Sequence, residues 1–120
     1  MWWKAKGEQH GILVTDATSA TGIPDGDYQL GGFTVQVANS HAMSRSVLAG
    51  SVLTQDRALT NFIEFAGAPL GKALRLLTTN QLRMFGMTKA LAVGSLANLA
   101  VVDAGGRLVA TMIEGRLVER

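Results

Sequence analysis

The chain has 120 residues, which suits one domain or a large piece of one. Hydrophobic residues make up 48% and charged residues only 17%, so a core is within reach and a disordered or solvating segment is excluded. Eleven Lys and Arg are scattered among nine Asp and Glu with no cysteine at all, which argues against a nucleic-acid surface, disulfides, thiolate metal sites and cysteine nucleophiles.

The N-terminus, Met1-Trp2-Trp3-Lys4-Ala5-Lys6, lacks the long apolar stretch of a signal peptide. Gly11-Ile12-Leu13-Val14-Thr15 is a short apolar run ending at Asp16, and it reads as a buried parallel strand. Thr18 to Asp27 is a loop, with a turn signal at Pro24-Asp25-Gly26. Phe33 to Val37 alternates with period two. Tyr28 to Leu30 and Arg45 to Leu48 flank it as further strands, Gly31-Gly32 marks a bulge or kink, and Asn39-Ser40 offers a turn.

Thr54 has N-cap chemistry and Asp56 falls in the first turn of the helix that follows. Ala58, Leu59, Phe62, Phe65 and Ala66 share one face of that helix, and Gly67 stops it. Pro69 opens a second helix with Ala73, Leu74 and Leu77 as its apolar residues. Asn80 reads as the N-cap of a third, ending at Gly86. After a boundary near Gly86 to Val93 the pattern becomes a β-meander. Its strands are Leu99 to Asp103, Arg107 to Ile113 and Leu117-Val118. No apolar run reaches the roughly 18 residues of a membrane span, so a cytoplasmic chain with no membrane partner is expected.

Five stretches carry a resemblance over nearly the whole chain. They are Lys6-Gly7, Leu13-Val14-Thr15-Asp16-Ala17-Thr18, Leu48-Ala49-Gly50-Ser51, Thr79-Asn80, and Ala97-Asn98-Leu99 with Gly115-Arg116. In this order they resemble the amidohydrolase superfamily, and within it the N-acetylglucosamine-6-phosphate deacetylases. The resemblance implies an α/β fold, the C-terminal portion of a metal-dependent hydrolase (β/α)8 TIM barrel followed by strands of a small β-sandwich. On that reading 1–86 belong to the barrel, with a β insertion at about 22–53, and 87–120 are the C-terminal sandwich strands. A whole barrel takes roughly 250 residues, so the chain reads as a fragment. It departs from many relatives in having Asn80-Gln81-Leu82 where they have Asn-Pro-Ala.

The activity implied is hydrolysis of the N-acetyl group of N-acetylglucosamine 6-phosphate with a divalent metal, zinc or similar. Asp16, at a strand end, would take a proton from water as general base and return one to the departing amine as general acid. It is also a possible additional metal ligand. On its residue type alone, Asp16 reads first as the cap of the turn through Ala17 and Thr18, and the flanking motifs reverse that preference. Leu48, Ala49 and Gly50 would line the sugar-phosphate pocket by the same resemblance; their local reading is a tight strand-to-helix connector. Ser51 has no base near it in sequence and is not read as a nucleophile.

The family's remaining ligands, a His-x-His pair, a glutamate and two further histidines, have no counterparts here. His10 and His41 read as surface histidines. Arg75 and Arg83 read as solvated, Trp2-Trp3 as the buried end of a barrel helix, and Met84, Phe85 and Met87 as core. The isolated chain is therefore expected to be inactive and to form a homo-oligomer that covers its barrel edges. The alternatives are a non-catalytic self-associating module or a fragment of a dihydroorotase- or dipeptidase-like amidohydrolase.

Overall fold

The computed structural model describes residues 2–38, 41–44, 47–87 and 91–118. In chain order its elements are α1 (Trp2–Lys6), β1 (Gly26–Leu30), β2 (Phe33–Ala38), β3 (His41–Ser44), β4 (Val47–Ser51), α2 (Gln55–Ala66), α3 (Leu70–Arg75), α4 (Thr79–Met84), β5 (Leu99–Val102), β6 (Leu108–Ile113) and β7 (Arg116–Val118). They fall into two compact units. One comprises 1–13 and 59–120, the other 14–58. The architecture is mixed α/β with two antiparallel sheets.

The unit 14–58 is built on a four-stranded meander in the order β1-β2-β3-β4. Period-two alternation in β2 turns Val35 and Val37 inward, where they join Ala20 and Ala42 in a buried cluster. Tyr28 and Val52 pack against its edge. Gly31-Gly32 is neither bulge nor kink. Leu30 pairs directly with Phe33, and the two glycines between them have φ of +54° and +86°, the double left-handed geometry that the twist of a two-residue hairpin favours. The irregularity lies between Ala42 and Met43 instead. His41, read as a surface histidine, sits exposed in β3. Asn39-Ser40 and Arg45 lie outside the described residues.

The other unit gathers its apolar side chains around Leu59, Ala68 and Ala73. Leu59, Phe62, Ile63 and Ala66 of α2 face this cluster at i, i+3, i+4 and i+7. Phe65 does not. It lies roughly 240° around the helix from Leu59 and is 80% exposed. Trp3 packs edge-on against Phe62 with ring centroids 5.3 Å apart, while Trp2 is half-exposed. Met84, Phe85 and Met87, expected in the core, are exposed. The closing meander, β5-β6-β7, follows the expected order. The two parts of the fifth resemblance-bearing stretch meet there. The amide of Gly115 donates to the carbonyl of Ala97 at 3.0 Å, and that of Glu114 to Asn98 Oδ1 at 2.7 Å.

Asn80 is not a cap. Thr78 precedes α4, and Asn80 is buried one position inside it. Its Nδ2 donates to the carbonyls of Glu8 at 2.8 Å and Gly11 at 2.7 Å. Gln81 Nε2 donates to Leu13 O, and the Leu13 amide donates to Leu76 O. These bonds, rather than a sheet ladder, hold 8–13. Residues 11–16 form no strand, and among the described residues the parallel pairing next to them is limited to a bridge at Ala17.

Lys72 Nζ stands 2.9 Å from Glu8 Oε2 on the surface. Its hydrogen bond and charge, aided by Arg75, hold the Glu8 carboxyl below the usual carboxylate range. A lowered folded-state value means that the pair stabilises the fold above the unfolded carboxylate range, and the contribution is lost as pH falls through the lowered value. We expect Lys72→Met to return the Glu8 titration, followed by carbonyl NMR, toward the ordinary range. High salt should shrink the difference between the two proteins.

Among the described residues no helix is long and apolar enough to cross a membrane.

Candidate active site

The two stretches that carry most of the resemblance, 13–18 and 48–51, lie 30 residues apart in sequence and are joined in space. Ala17 forms a parallel bridge with Ser51. The Ser51 amide donates to Asp16 O at 3.2 Å, and the Thr18 amide donates to Ser51 O at 2.8 Å. Parallel pairing cannot come from a hairpin, so the intervening β1–β3 meander is what returns the chain to this position.

Asp16 has φ of +52°. Among the described residues only Glu114 shares a left-handed backbone without being glycine, and Glu114 lies in the tight turn between β6 and β7. Asp16 has no hairpin to account for it. A left-handed non-glycine residue stores strain, which surrounding contacts must hold in place. Here the bonds on either side of Ala17 hold it.

The turn after Asp16 is not capped by its carboxylate. Thr15 Oγ1 accepts from the Ala17 amide at 3.3 Å, and Thr18 Oγ1 accepts from the Ala20 amide at 3.4 Å. The threonines on each side therefore do the turn chemistry that Asp16 would otherwise do. Asp16 itself is exposed. Sequence reasoning did not assign Thr15 and Thr18 this task, although the Thr-x-x-Thr spacing around Asp16 held the signal.

Ala49 and Gly50 lie at the end of β4, next to Ser51. Ala49 is exposed and Gly50 half-buried. Leu48 is placed by its backbone, opposite Met43; its side chain lies outside the described residues. Gly50 has φ of +142°, a conformation that side chains resist, and the methyl of Thr18 occupies the space a Cβ would need. The segment thus presents backbone rather than side chain beside Asp16. We expect Gly50→Ala to cost about 1–3 kcal/mol, from strain and from the displaced Thr18 methyl. The urea midpoint of the 120-residue chain should fall accordingly, with an unchanged slope.

Ser51 Oγ accepts from the Leu53 amide at 2.9 Å, a turn role rather than a nucleophile's. His41 pairs with Ser51 from the β3 side and is exposed. His10 Nδ1 donates to Lys6 O at 3.2 Å, one turn back. Arg83 donates to Gln9 O at 3.3 Å. Among the described residues no three His, Cys, Asp or Glu side chains come together. The donors in this chain, with Asp16 the single carboxylate at the site, do not fit a metal centre by themselves.

No family model matches the chain. It is 35% identical to an N-acetylglucosamine-6-phosphate deacetylase from Lysinibacillus sphaericus, over 98% of the chain and 31% of the relative. It is 34% identical to an N-acetylgalactosamine-6-phosphate deacetylase from Escherichia coli O157:H7, over 88% of the chain and 29% of the relative. The crystal structure of N-acetylglucosamine-6-phosphate deacetylase from Thermotoga maritima superposes with a TM-score of 0.85 at 31% identity, covering 98% of this chain and 33% of that one. The chain spans about a third of the length of these relatives. Similarity of this extent, in sequence and in fold, makes the chain a member of the N-acetylglucosamine-6-phosphate deacetylase family.

Proposed function

We propose that this chain is the C-terminal share of a metal-dependent deacetylase of N-acetylhexosamine 6-phosphates, with Asp16 as its proton carrier. Residues 1–86 complete a TIM barrel, with 22–53 inserted after its last strand, and 87–120 contribute to a β-sandwich. Asp16 accepts a proton from the attacking water and then donates one to the nitrogen of the departing amine. Leu48, Ala49 and Gly50 line the sugar-phosphate pocket. The observation that carries this reading is the exposed Asp16 carboxylate, held on a left-handed backbone by the strand that ends in Leu48-Ala49-Gly50-Ser51. Its freedom from turn capping leaves it available for chemistry.

The metal of such a deacetylase would be held by donors outside these 120 residues. The 120-residue chain, purified with added zinc, is expected to release no acetate from N-acetylglucosamine 6-phosphate. It is also expected to self-associate through exposed apolar side chains such as Phe65, Leu91 and Val93. Acetate release by the chain alone, or a monodisperse monomer by light scattering, would contradict these two expectations respectively. Activity is expected when the chain replaces the matching segment of the Lysinibacillus sphaericus relative. The near-equal identity to a galactosamine enzyme favours testing both epimers in that chimera.

A further inference from the structure

We infer that Thr18 is a positioning residue that sets the Asp16 backbone, with its hydroxyl as the operative group. The inference rests on the proposed role of Asp16. Several contacts of Thr18 bear on that backbone. Its amide donates to Ser51 O at 2.8 Å, and its hydroxyl donates to the same oxygen at 3.3 Å. That hydroxyl also accepts from the Ala20 amide at 3.4 Å, and its methyl fills the space above Gly50. Ser51 in turn donates its amide to Asp16 O at 3.2 Å.

The geometry closes a ring around Ala17. Asp16 and Thr18 both bond to Ser51, and Thr18 adds a second donor to the Ser51 carbonyl. A left-handed aspartate relaxes unless its neighbours oppose relaxation. The opposing force comes through Ser51, and Thr18 is the side chain that fastens Ser51. A shift in that ring moves the Asp16 carboxylate relative to the Gly50 backbone, with no contact between Thr18 and the reacting atoms. Misplacing a catalytic group by about 1 Å costs on the order of a hundredfold in rate.

Two conservative variants separate the hydroxyl from the methyl. Thr18→Val keeps a methyl over Gly50 and removes the donor. Thr18→Ser keeps the donor and removes the methyl. In the 120-residue chain, a positive φ brings the amide and α protons of Asp16 close, so their intraresidue nuclear Overhauser effect is strong. It should weaken in Thr18→Val and persist in Thr18→Ser, while the amides of Val35 and Val37 keep their exchange protection in both. In the deacetylase chimera, Thr18→Val should lower kcat about ten- to a hundredfold with KM changed by less than about twofold, and Thr18→Ser should restore most of the rate.

Two outcomes would overturn the inference. One is a Thr18→Val protein whose Asp16 signal and kcat match the parent. The other is loss of the Asp16 signal together with β-sheet protection, which marks Thr18 as ordinary sheet support. Asp16→Asn in the same chimera separates the two readings. If it is fully active, the role proposed for Asp16 fails, and the Asp16 proton signal still decides whether Thr18 sets the backbone.

Discussion

Replacing Asp16 by Asn in the deacetylase chimera is expected to lower kcat by about 10²- to 10⁴-fold, the range spanned by a positioned general acid–base. That corresponds to about 3–5.5 kcal/mol of transition-state stabilisation. The fold should hardly notice. Asp16 is exposed, and the neighbouring turn is capped by Thr15 and Thr18. Surface changes of this kind stay within about 0.5 kcal/mol. Asn is the right replacement because it tolerates the left-handed backbone at φ +52°. Ala would add about 1–2 kcal/mol of backbone cost and confuse a stability loss with a catalytic one. Steady-state kinetics beside a denaturation curve for each protein separates the two.

The largest effect on stability is expected at the opposite kind of residue. Asn80 is buried, with 5% of its surface exposed, and its amide nitrogen satisfies the carbonyls of both Glu8 and Gly11. Asn80→Leu keeps the branched shape of the side chain and leaves both acceptors without that donor. An orphaned buried polar group costs about 1–3 kcal/mol, and Gly11 is buried, so a total of about 2–4 kcal/mol is expected. Chemical denaturation measures it. A loss under about 0.5 kcal/mol would mean that the two carbonyls find water instead. Because 8–13 precede Val14-Thr15-Asp16 directly in sequence, amide exchange at Leu13 should rise in the same variant.

These two residues show what the sequence could and could not disclose. The β5–β7 meander was legible, because alternation and turn residues are local signals. So was α2, where the spacing of Leu59, Phe62 and Ala66 and the stop at Gly67 act within a few residues. Asn80 was misread for the same reason. Its neighbours made it look like a cap, yet its partners are 69 and 72 residues away. Residues 11–16 were read as a strand from an apolar run, and a strand needs a neighbour to pair with along its length; among the described residues the parallel pairing there is limited to the Ala17–Ser51 bridge. Val14 accordingly stands 70% exposed. Phe65, Met84 and Phe85 were assigned inward on hydrophobicity, which is a one-way rule: apolar residues also make up much of any protein surface.

At the site, the type and order of residues were legible and their assembly was not. The stretches Val14-Thr15-Asp16-Ala17-Thr18 and Leu48-Ala49-Gly50-Ser51 were each visible as motifs. Their joining through the Ala17–Ser51 bridge depends on the path of β1 to β3, which no local pattern encodes. The left-handed φ of Asp16 was equally hidden, since an aspartate after an apolar run adopts either hand according to what holds it.

The most direct test of the central claim is acetate release from N-acetylglucosamine 6-phosphate by the zinc-loaded chimera, compared between the parent and its Asp16→Asn variant. Release by the parent, with the variant at least about a hundredfold slower and equally stable, is the predicted result. Equal rates from the two proteins would contradict it and remove Asp16 from the chemistry.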